Sequence, residues 1–357
     1  MAAITAWKAL RFKDRVEKIA PIHWDIDLTM VCNHRCPGCF YIGLPEDGYD
    51  SGLGVFRNMK TGSMLDTNIV LNTISSIPKV GGKAITFVGG GEPTLHPKVI
   101  DIFKAVKNAG LKFGLISHLG LPYKPSFFES LLPASWVRVS VNAAEADTYS
   151  KMQGIKKEEF NRVTNNVNTF SSMGGNIGVS FLIHPDNFRE ISKAAELFSN
   201  LGARYIQYKP YITDKKEELW KGLEEKISEE LSSALKFSSP SFQVLDQFLT
   251  RKQQLHDYWN LKPCGKCWVP RFNPKITADG KIYVCCELAY SDRGILGDLT
   301  VSSLEDIVKK DVWEKAENNI DTDKCPPCWE RELNRSINDG SFHSMKPPPE
   351  TVDSEFV

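Results

Sequence analysis

The chemistry in this sequence is carried by cysteine. Nine cysteines in 357 residues fall into two groups rather than a scatter. Cys32, Cys36 and Cys39 stand as Cys-x3-Cys-x2-Cys on one short stretch; Cys264, Cys267, Cys285, Cys286, Cys325 and Cys328 gather toward the C-terminus. An odd count in a chain whose N-terminus does not read as a secretory signal argues against a disulfide scaffold, and the grouping points to metal. Three thiolates on one loop can each take one iron of a cubane, because iron–sulfur clusters are built on cysteine sulfur. The fourth iron is then left for a small molecule. The competing metal is zinc, which takes four closed ligands and would have to recruit His34 from inside the same loop.

Elements that position such a loop are legible around it. Residues 24–31, 84–89, 112–117, 136–141, 176–183 and 204–212 are rich in Val, Ile and aromatics and read as strands. Helical patterns lie between them, as in 98–110, closed by Gly110, and 187–201, followed by Gly202. Six strand–helix repeats imply right-handed crossovers and a parallel sheet curling into a barrel or part of one. The expected class is α/β, a partial (β/α)6 TIM-like barrel with a small cysteine-rich extension. Reactive groups in such barrels sit at the C-terminal strand ends. The first cysteine group directly follows the first strand, and Gly89-Gly90-Gly91-Glu92-Pro93 ends the second.

The expected division is a helical segment over 1–23, the barrel over 24–212, a helical linker over 213–263, an auxiliary metal domain over 264–335 and a disordered tail over 336–357. The first segment places Ile4, Trp7, Leu10 and Val16 near one face, as a packing helix does. The linker is charged, with Leu219, Leu223, Ile227, Leu231 and Leu235 at near-helical spacing. The segment 264–330 is too short for its own apolar core, and modules of this size usually need a metal or disulfides to fold; within it, residues 276–286 read as a hairpin turning at Ala278-Asp279-Gly280. Residues 42–64 form a long loop that shapes a pocket or lies on the surface.

The 44 basic and 44 acidic residues cancel, giving no field that favours nucleic acid or an anionic membrane. No run of about 18 apolar residues exists to span a bilayer. The first twenty residues carry Lys8, Arg11, Lys13, Asp14 and Arg15, which interrupt any signal-peptide core.

A Cys-x3-Cys-x2-Cys loop after the first strand of a six-fold strand–helix barrel, with a Gly-Gly-Glu-Pro stretch ending the second, resembles the radical S-adenosylmethionine (SAM) superfamily. The resemblance implies a [4Fe–4S] cluster on Cys32, Cys36 and Cys39 whose open iron binds the amino and carboxylate groups of SAM. Gly90, Gly91, Glu92 and Pro93 would then hold the methionyl amino group. Glycine permits close backbone approach, and a carboxylate complements an ammonium. Reductive cleavage of SAM would yield a 5′-deoxyadenosyl radical that abstracts a substrate hydrogen, the protein supplying position and exclusion of water. Ser117, Ser140 and Asn142 at later strand ends offer further SAM contacts, and each equally suits a turn. Gln207 and Lys209 on the sixth strand are weaker candidates. The sequence departs from the family at Gly38, where an aromatic residue ordinarily precedes the third cysteine; Phe40 or Tyr41 would have to replace it beside adenine.

The second cysteine group alone reads as a zinc ribbon. Beside the first it resembles the SPASM extension of radical SAM enzymes, or its shorter twitch form with one auxiliary [4Fe–4S] cluster, since no cysteine follows Cys328. The resemblance assigns Cys267, Cys285, Cys325 and Cys328 as ligands and leaves Cys264 and Cys286. Cys264 can replace Cys267; Cys286 is a buried thiol or a hydrogen-atom donor. The expected function is oxidation of a small sugar-like or cyclitol-like natural product, the auxiliary cluster accepting an electron. The alternatives are epimerisation with Cys286 or Cys264 as donor, peptide modification, and a zinc-stabilised binding module without catalysis. No leader-binding domain is expected in the 31 residues ahead of Cys32. A reducing partner such as flavodoxin or ferredoxin and a cytoplasmic setting are implied, with no nucleic-acid or membrane partner.

Overall fold

The computed structural model describes residues 20–37, 39, 62–211, 219–249, 265–309, 311–325, 328 and 330–341. The N-terminal helical segment up to residue 19, Gly38, Phe40, Tyr41, nearly all of the 42–64 loop, Cys264 and the tail from 342 lie outside the described residues. The chain forms two compact units, one of Met1–Val31, Val55–Gly114 and Leu261–Val357, the other of Cys32–Gly54 and Leu115–Asn260.

In the first unit β1 (His23–Asp27) pairs in parallel with β2 (Ala84–Val88), in the register His23↔Ala84 to Asp27↔Val88. Helix α1 (Thr67–Ser76) leads into β2; the Asp66 carboxylate caps it, accepting from the Asn68 and Ile69 amides at 2.8 and 3.1 Å. Helix α2 (Val99–Asn108) follows, and its apolar face buries Ile102, Phe103 and Val106. Phe87, Phe103 and Phe113 pack with centroids 5.1–6.0 Å apart, Phe103 stacked on Phe113 and Phe87 edge-on to Phe113, a core of β2, α2 and the first half of β3 (Lys112–Ser117). The chain passes into the second unit within β3.

There β4 (Trp136–Ser140), β5 (Ile177–Ile183), β6 (Tyr205–Pro210) and β7 (Gln243–Asp246) pair in parallel in that order. Helices α3 (Pro125–Leu131), α4 (Ala146–Gln153), α5 (Glu158–Ser172), α6 (Ile191–Asn200) and α7 (Glu224–Leu235) intervene. The expected strands are present to within a few residues, because parallel strands buried on both faces read as near-continuous apolar runs. The charged segment after residue 213 is more than a linker. Its described part, 219–249, forms α7 and the additional strand β7 inside the second unit. Trp220, Ile227 and Leu231 are buried, and the Trp220 indole donates to the Ile183 carbonyl at 3.2 Å. Charge on one face of α7 concealed an apolar face that the core uses.

The C-terminal part of the first unit begins with the expected hairpin. Strands β8 (Lys275–Ile276) and β9 (Lys281–Tyr283) pair antiparallel, and Gly280 turns at φ +81°, a value that favours glycine. Strand β10 (Ile295–Asp298) pairs with β9, and β8 pairs in parallel with β1. Helices α8 (Leu304–Lys309), α9 (Val312–Asn319) and α10 (Arg331–Asp339) follow, so helix continues past residue 335, where a disordered tail was expected.

A buried ion pair joins this hairpin to β1. Lys275 Nζ lies 2.8 Å from Asp27 Oδ1, and both side chains are almost wholly inaccessible. The Tyr290 hydroxyl donates to Asp27 Oδ2 at 3.2 Å. Burial pushes the Asp27 carboxyl up, to about 6, against the pull of Lys275 and Tyr290. Removing one member of such a pair strands the other charge. Lys275→Met alone is therefore expected to cost about 3–5 kcal/mol in denaturant unfolding. Adding Asp27→Asn, which still accepts from Tyr290, is expected to recover most of that loss.

Candidate cluster and cofactor sites

Cys32, Cys36 and Cys39 lie in the second unit on a loop without regular structure, so its backbone must be held from outside. Within the loop the Cys39 amide donates to the Cys36 carbonyl at 3.1 Å, and the His34 amide points at Cys32 Sγ, 3.4 Å away. Arg35 wraps back, its Nη1 donating to the carbonyls of Cys32 and His34 at 2.7 and 2.8 Å. The outside support is the end of α4. The Arg35 amide donates to the Gln153 carbonyl at 3.2 Å, and Cys36 Sγ lies 2.9 Å from Gln153 Oε1. Gly154 ends α4 at φ +57°, and a Cβ there would stand 1.9 Å from the Arg35 carbonyl oxygen.

His34, the residue a zinc site on this loop would recruit, stacks instead on His118 with ring centroids 3.7 Å apart. His118 accepts the Gly120 amide at Nδ1, 2.9 Å, which makes Nε2 the donor to Asn33 Oδ1 at 2.9 Å. Burial, then the neighbouring His118, lowers His34 to about 3, so the stacked ring is neutral. Among the described residues no three Cys, His, Asp or Glu side chains meet as closely as ligands of one metal ion must. Ligands of a cubane sit on different irons and do not have to. Burial first, then Cys39 and Cys32, raises the Cys36 thiol above its ordinary range. The donor set fits a cluster that supplies cations to three sulfurs.

The glycine run lies in the first unit. The Gly91 amide donates to Thr29 O at 2.8 Å and the Glu92 amide to Val31 O at 2.9 Å, tying the end of β2 to the backbone just before Cys32. A Cβ on Gly91 would stand 2.2 Å from Val31 O, and one on Gly90 1.9 Å from Met30 Sδ. These glycines are thus needed for protein packing before any cofactor is considered. Glu92 is buried, and its Oε1 accepts from the Thr94 amide at 3.1 Å and hydroxyl at 2.6 Å. Thr94 fixes the carboxylate at the head of the short turn Pro93–Leu95. Met30 Sδ also lies 2.8 Å from the hydroxyl oxygen of Tyr290, a residue in the left-handed region at φ +59°.

The strand-end candidates of the second unit do structural work. Ser117 Oγ accepts the Leu119 amide at 2.8 Å, closing a turn in which Leu119 takes φ +51°. Asn142 Oδ1 accepts the Leu182 amide at 2.8 Å, and its carbonyl receives Asn187 Nδ2 at 2.9 Å. Ser140 offers its carbonyl to Gln153 Nε2 at 3.1 Å. Gln207 and Lys209 are half-buried on β6.

Four candidate ligands of the second group come together in the first unit. Cys285 is buried with Val269, Val284, Leu288 and Ala316, and Cys267 and Cys325 pack against the same cluster. Burial, then Cys267, then Glu287 raises the Cys285 thiol; burial, then Cys285, does so for Cys328. Residues around Cys267 are stapled to α10: Asn334 accepts the Trp268 amide and donates to the Lys266 carbonyl, both at 2.7 Å, and Asn338 Nδ2 donates to the same carbonyl at 2.7 Å. Glu317 on α9, wholly buried, takes Lys266 Nζ at 2.9 Å and the Arg271 guanidinium. Cys286 Sγ faces Glu287 Oε1 at 3.8 Å, where burial pushes the carboxyl up to about 7.

Residues 26–198 match the radical SAM superfamily and residues 267–330 the SPASM iron–sulfur cluster-binding domain. Fold and cysteine groups together define an α/β enzyme that uses SAM and iron–sulfur clusters. The chain belongs to the radical SAM superfamily and carries a SPASM domain. A probable GTP 3′,8-cyclase of Saccharolobus islandicus is 27% identical over 184 residues, 51% of this chain and 54% of that one. The chain thus spans about half the length of such relatives. Among solved structures, Streptococcus suis SuiB bound to its precursor peptide SuiA shares the fold at TM-score 0.60 and 13% identity, over 84% of this chain and 67% of that one. A structure of anSMEcpe with AdoMet and a peptide gives TM-score 0.58 at 15% identity, over 88% of both chains. Among the described residues no helix is long and apolar enough to cross a membrane.

Two glycines test these contacts. Gly154→Ala is expected to lower the iron bound by the first cluster, measured by iron and sulfide analysis after anaerobic reconstitution. Gly91→Ala is expected to weaken SAM binding by about tenfold, or about 1.4 kcal/mol, in anaerobic calorimetry.

Proposed function

We propose that this enzyme oxidises a small sugar-like or cyclitol-like natural product by two electrons. Cys32, Cys36 and Cys39 hold the cluster that engages SAM, and Cys267, Cys285, Cys325 and Cys328 hold one auxiliary [4Fe–4S] cluster. SAM, when bound and reduced, supplies a 5′-deoxyadenosyl radical that removes a substrate hydrogen atom. Gly90, Gly91, Glu92 and Pro93 orient its methionyl end. Cys267, Cys285, Cys325 and Cys328 would hold the auxiliary cluster as acceptor for the second electron, with the accompanying proton released to water. The observation that carries this reading is the gathering of Cys267, Cys285 and Cys325 on one apolar cluster, with Cys328 near enough to Cys285 for their charges to act on each other. Four thiolates saturate a cubane, and a buried saturated cluster passes electrons rather than binding substrate. The reducing partner is of the flavodoxin or ferredoxin kind, and oxygen-sensitive clusters favour the cytoplasm.

A second reading, oxidation of a peptide, has in its favour that SuiB and anSMEcpe, which share the fold, were captured with peptides. Both readings expect about eight irons per chain after anaerobic reconstitution. About four are expected to remain when Cys32, Cys36 and Cys39 are replaced together, or when Cys285 and Cys325 are. Zinc without sulfide would sink the reading in favour of a binding module.

Oxidation also differs from epimerisation in a direct measurement. With substrate turned over in D2O, one oxidised product per SAM cleaved and no deuterium in it is expected. Deuterium that disappears in Cys286→Ala would establish a thiol hydrogen donor and overturn oxidation.

A further inference from the structure

Gln153 is the last residue of α4 and only 2% exposed, yet its side-chain amide reaches a candidate iron ligand. Its Oε1 accepts from the Cys36 thiol at 2.9 Å, and its Nε2 donates to the Ser140 carbonyl at 3.1 Å. Its backbone carbonyl takes the Arg35 amide at 3.2 Å and lies 3.5 Å from Cys36 Sγ. This arrangement belongs to a protonated thiol. A thiolate on iron has no proton to give, and an amide oxygen against it would set two acceptors face to face in a buried place. A side-chain amide exchanges its oxygen and nitrogen by a half-turn about its last bond. The half-turn brings Nε2 to the sulfur and takes a donor from the Ser140 carbonyl. Ser140 is partly exposed, so water can replace that donor.

We propose that Gln153 is a positioning residue for the first cluster: with iron bound, its side-chain amide donates an N–H to the Cys36 sulfur and thereby sets that cluster's reduction potential. The proposal rests on the reading of Cys36 as an iron ligand. Cys32 already faces a backbone donor, the His34 amide at 3.4 Å; Cys36 obtains from a side chain what Cys32 obtains from the main chain. Hydrogen bonds to cluster sulfurs draw off electron density, which favours the reduced state and raises the potential. In buried surroundings the effect of each such bond is strengthened by the low local dielectric.

The test uses the full chain reconstituted anaerobically, with a redox titration followed by electron paramagnetic resonance of the signal that SAM perturbs. Gln153→Met keeps the volume and removes the donor, and a shift to more negative potential is expected at unchanged iron content. Gln153→Glu places a carboxylate against the sulfur and is expected to shift the potential further in the same direction. Equal potentials in all three proteins overturn the proposal. If Gln153→Met fails to hold iron, the wild-type protein labelled with 15N in its glutamine side chains decides. A 15N hyperfine coupling to the reduced first cluster is expected, and its absence overturns the proposal. Cys36→Ala separates the two levels. Full iron retention there removes the ligand reading itself, whereas loss of iron together with unmoved potentials in the Gln153 variants removes only the role of Gln153.

Discussion

A loop that carries three thiols cannot aim them by itself, because it has neither a helical nor a sheet ladder to fix its backbone. Here the fixing comes from one helix end. Gln153 and Gly154 close α4 against Arg35, the carbonyl of one accepting its amide and the bare Cα of the other leaving room for its carbonyl. Around that contact the His34–His118 stack and the His118–Asn33 hydrogen bond hold the rest of the loop. The positions of the candidate ligands in the second unit depend on this dock.

The first unit solves a related problem with charge. Its C-terminal segment is too small to bury enough apolar surface alone. It adds β8 to the free side of β1, then seals the junction with Lys275, Asp27 and Tyr290. Tyr290 reaches on to Met30, whose sulfur occupies the space a side chain on Gly90 would need. One tyrosine thereby connects the cysteine-rich segment with the glycine run.

What the sequence disclosed and what it withheld divide along physical lines. Both cysteine groups, the strand-end position of the glycine run, the 276–286 hairpin and the six strands were legible, since ligand spacing and apolar runs are local properties. The supporting residues were not. Gln153, Gly154, His118, Glu317 and Asn334 meet the loops they hold only through tertiary contact, and nothing in their neighbours announces it. Glu317 looks like one more surface carboxylate on a charged helix until Lys266 and Arg271 are folded onto it. The seventh strand was hidden for another reason: Gln243–Asp246 has a single buried residue, Val244, too little for a pattern. Ser117 and Asn142 stood at the right strand ends, and the structure spends their side chains on turn and strand amides.

The pairing of β1 with β8 has a consequence for how the chain is made. Asp25 lies opposite Lys275, so one side of the first strand waits for a partner synthesised 250 residues later. At ordinary elongation rates of about 5–20 residues per second, that is a wait of roughly 10–50 s. Throughout it β1 presents unpaired amides and carbonyls beside an apolar face, the kind of edge on which nascent chains aggregate. Contacts so distant in sequence also form slowly. The β1–β8 junction is therefore among the late contacts of this fold, and until it forms one edge of β1 is left for other chains to pair with.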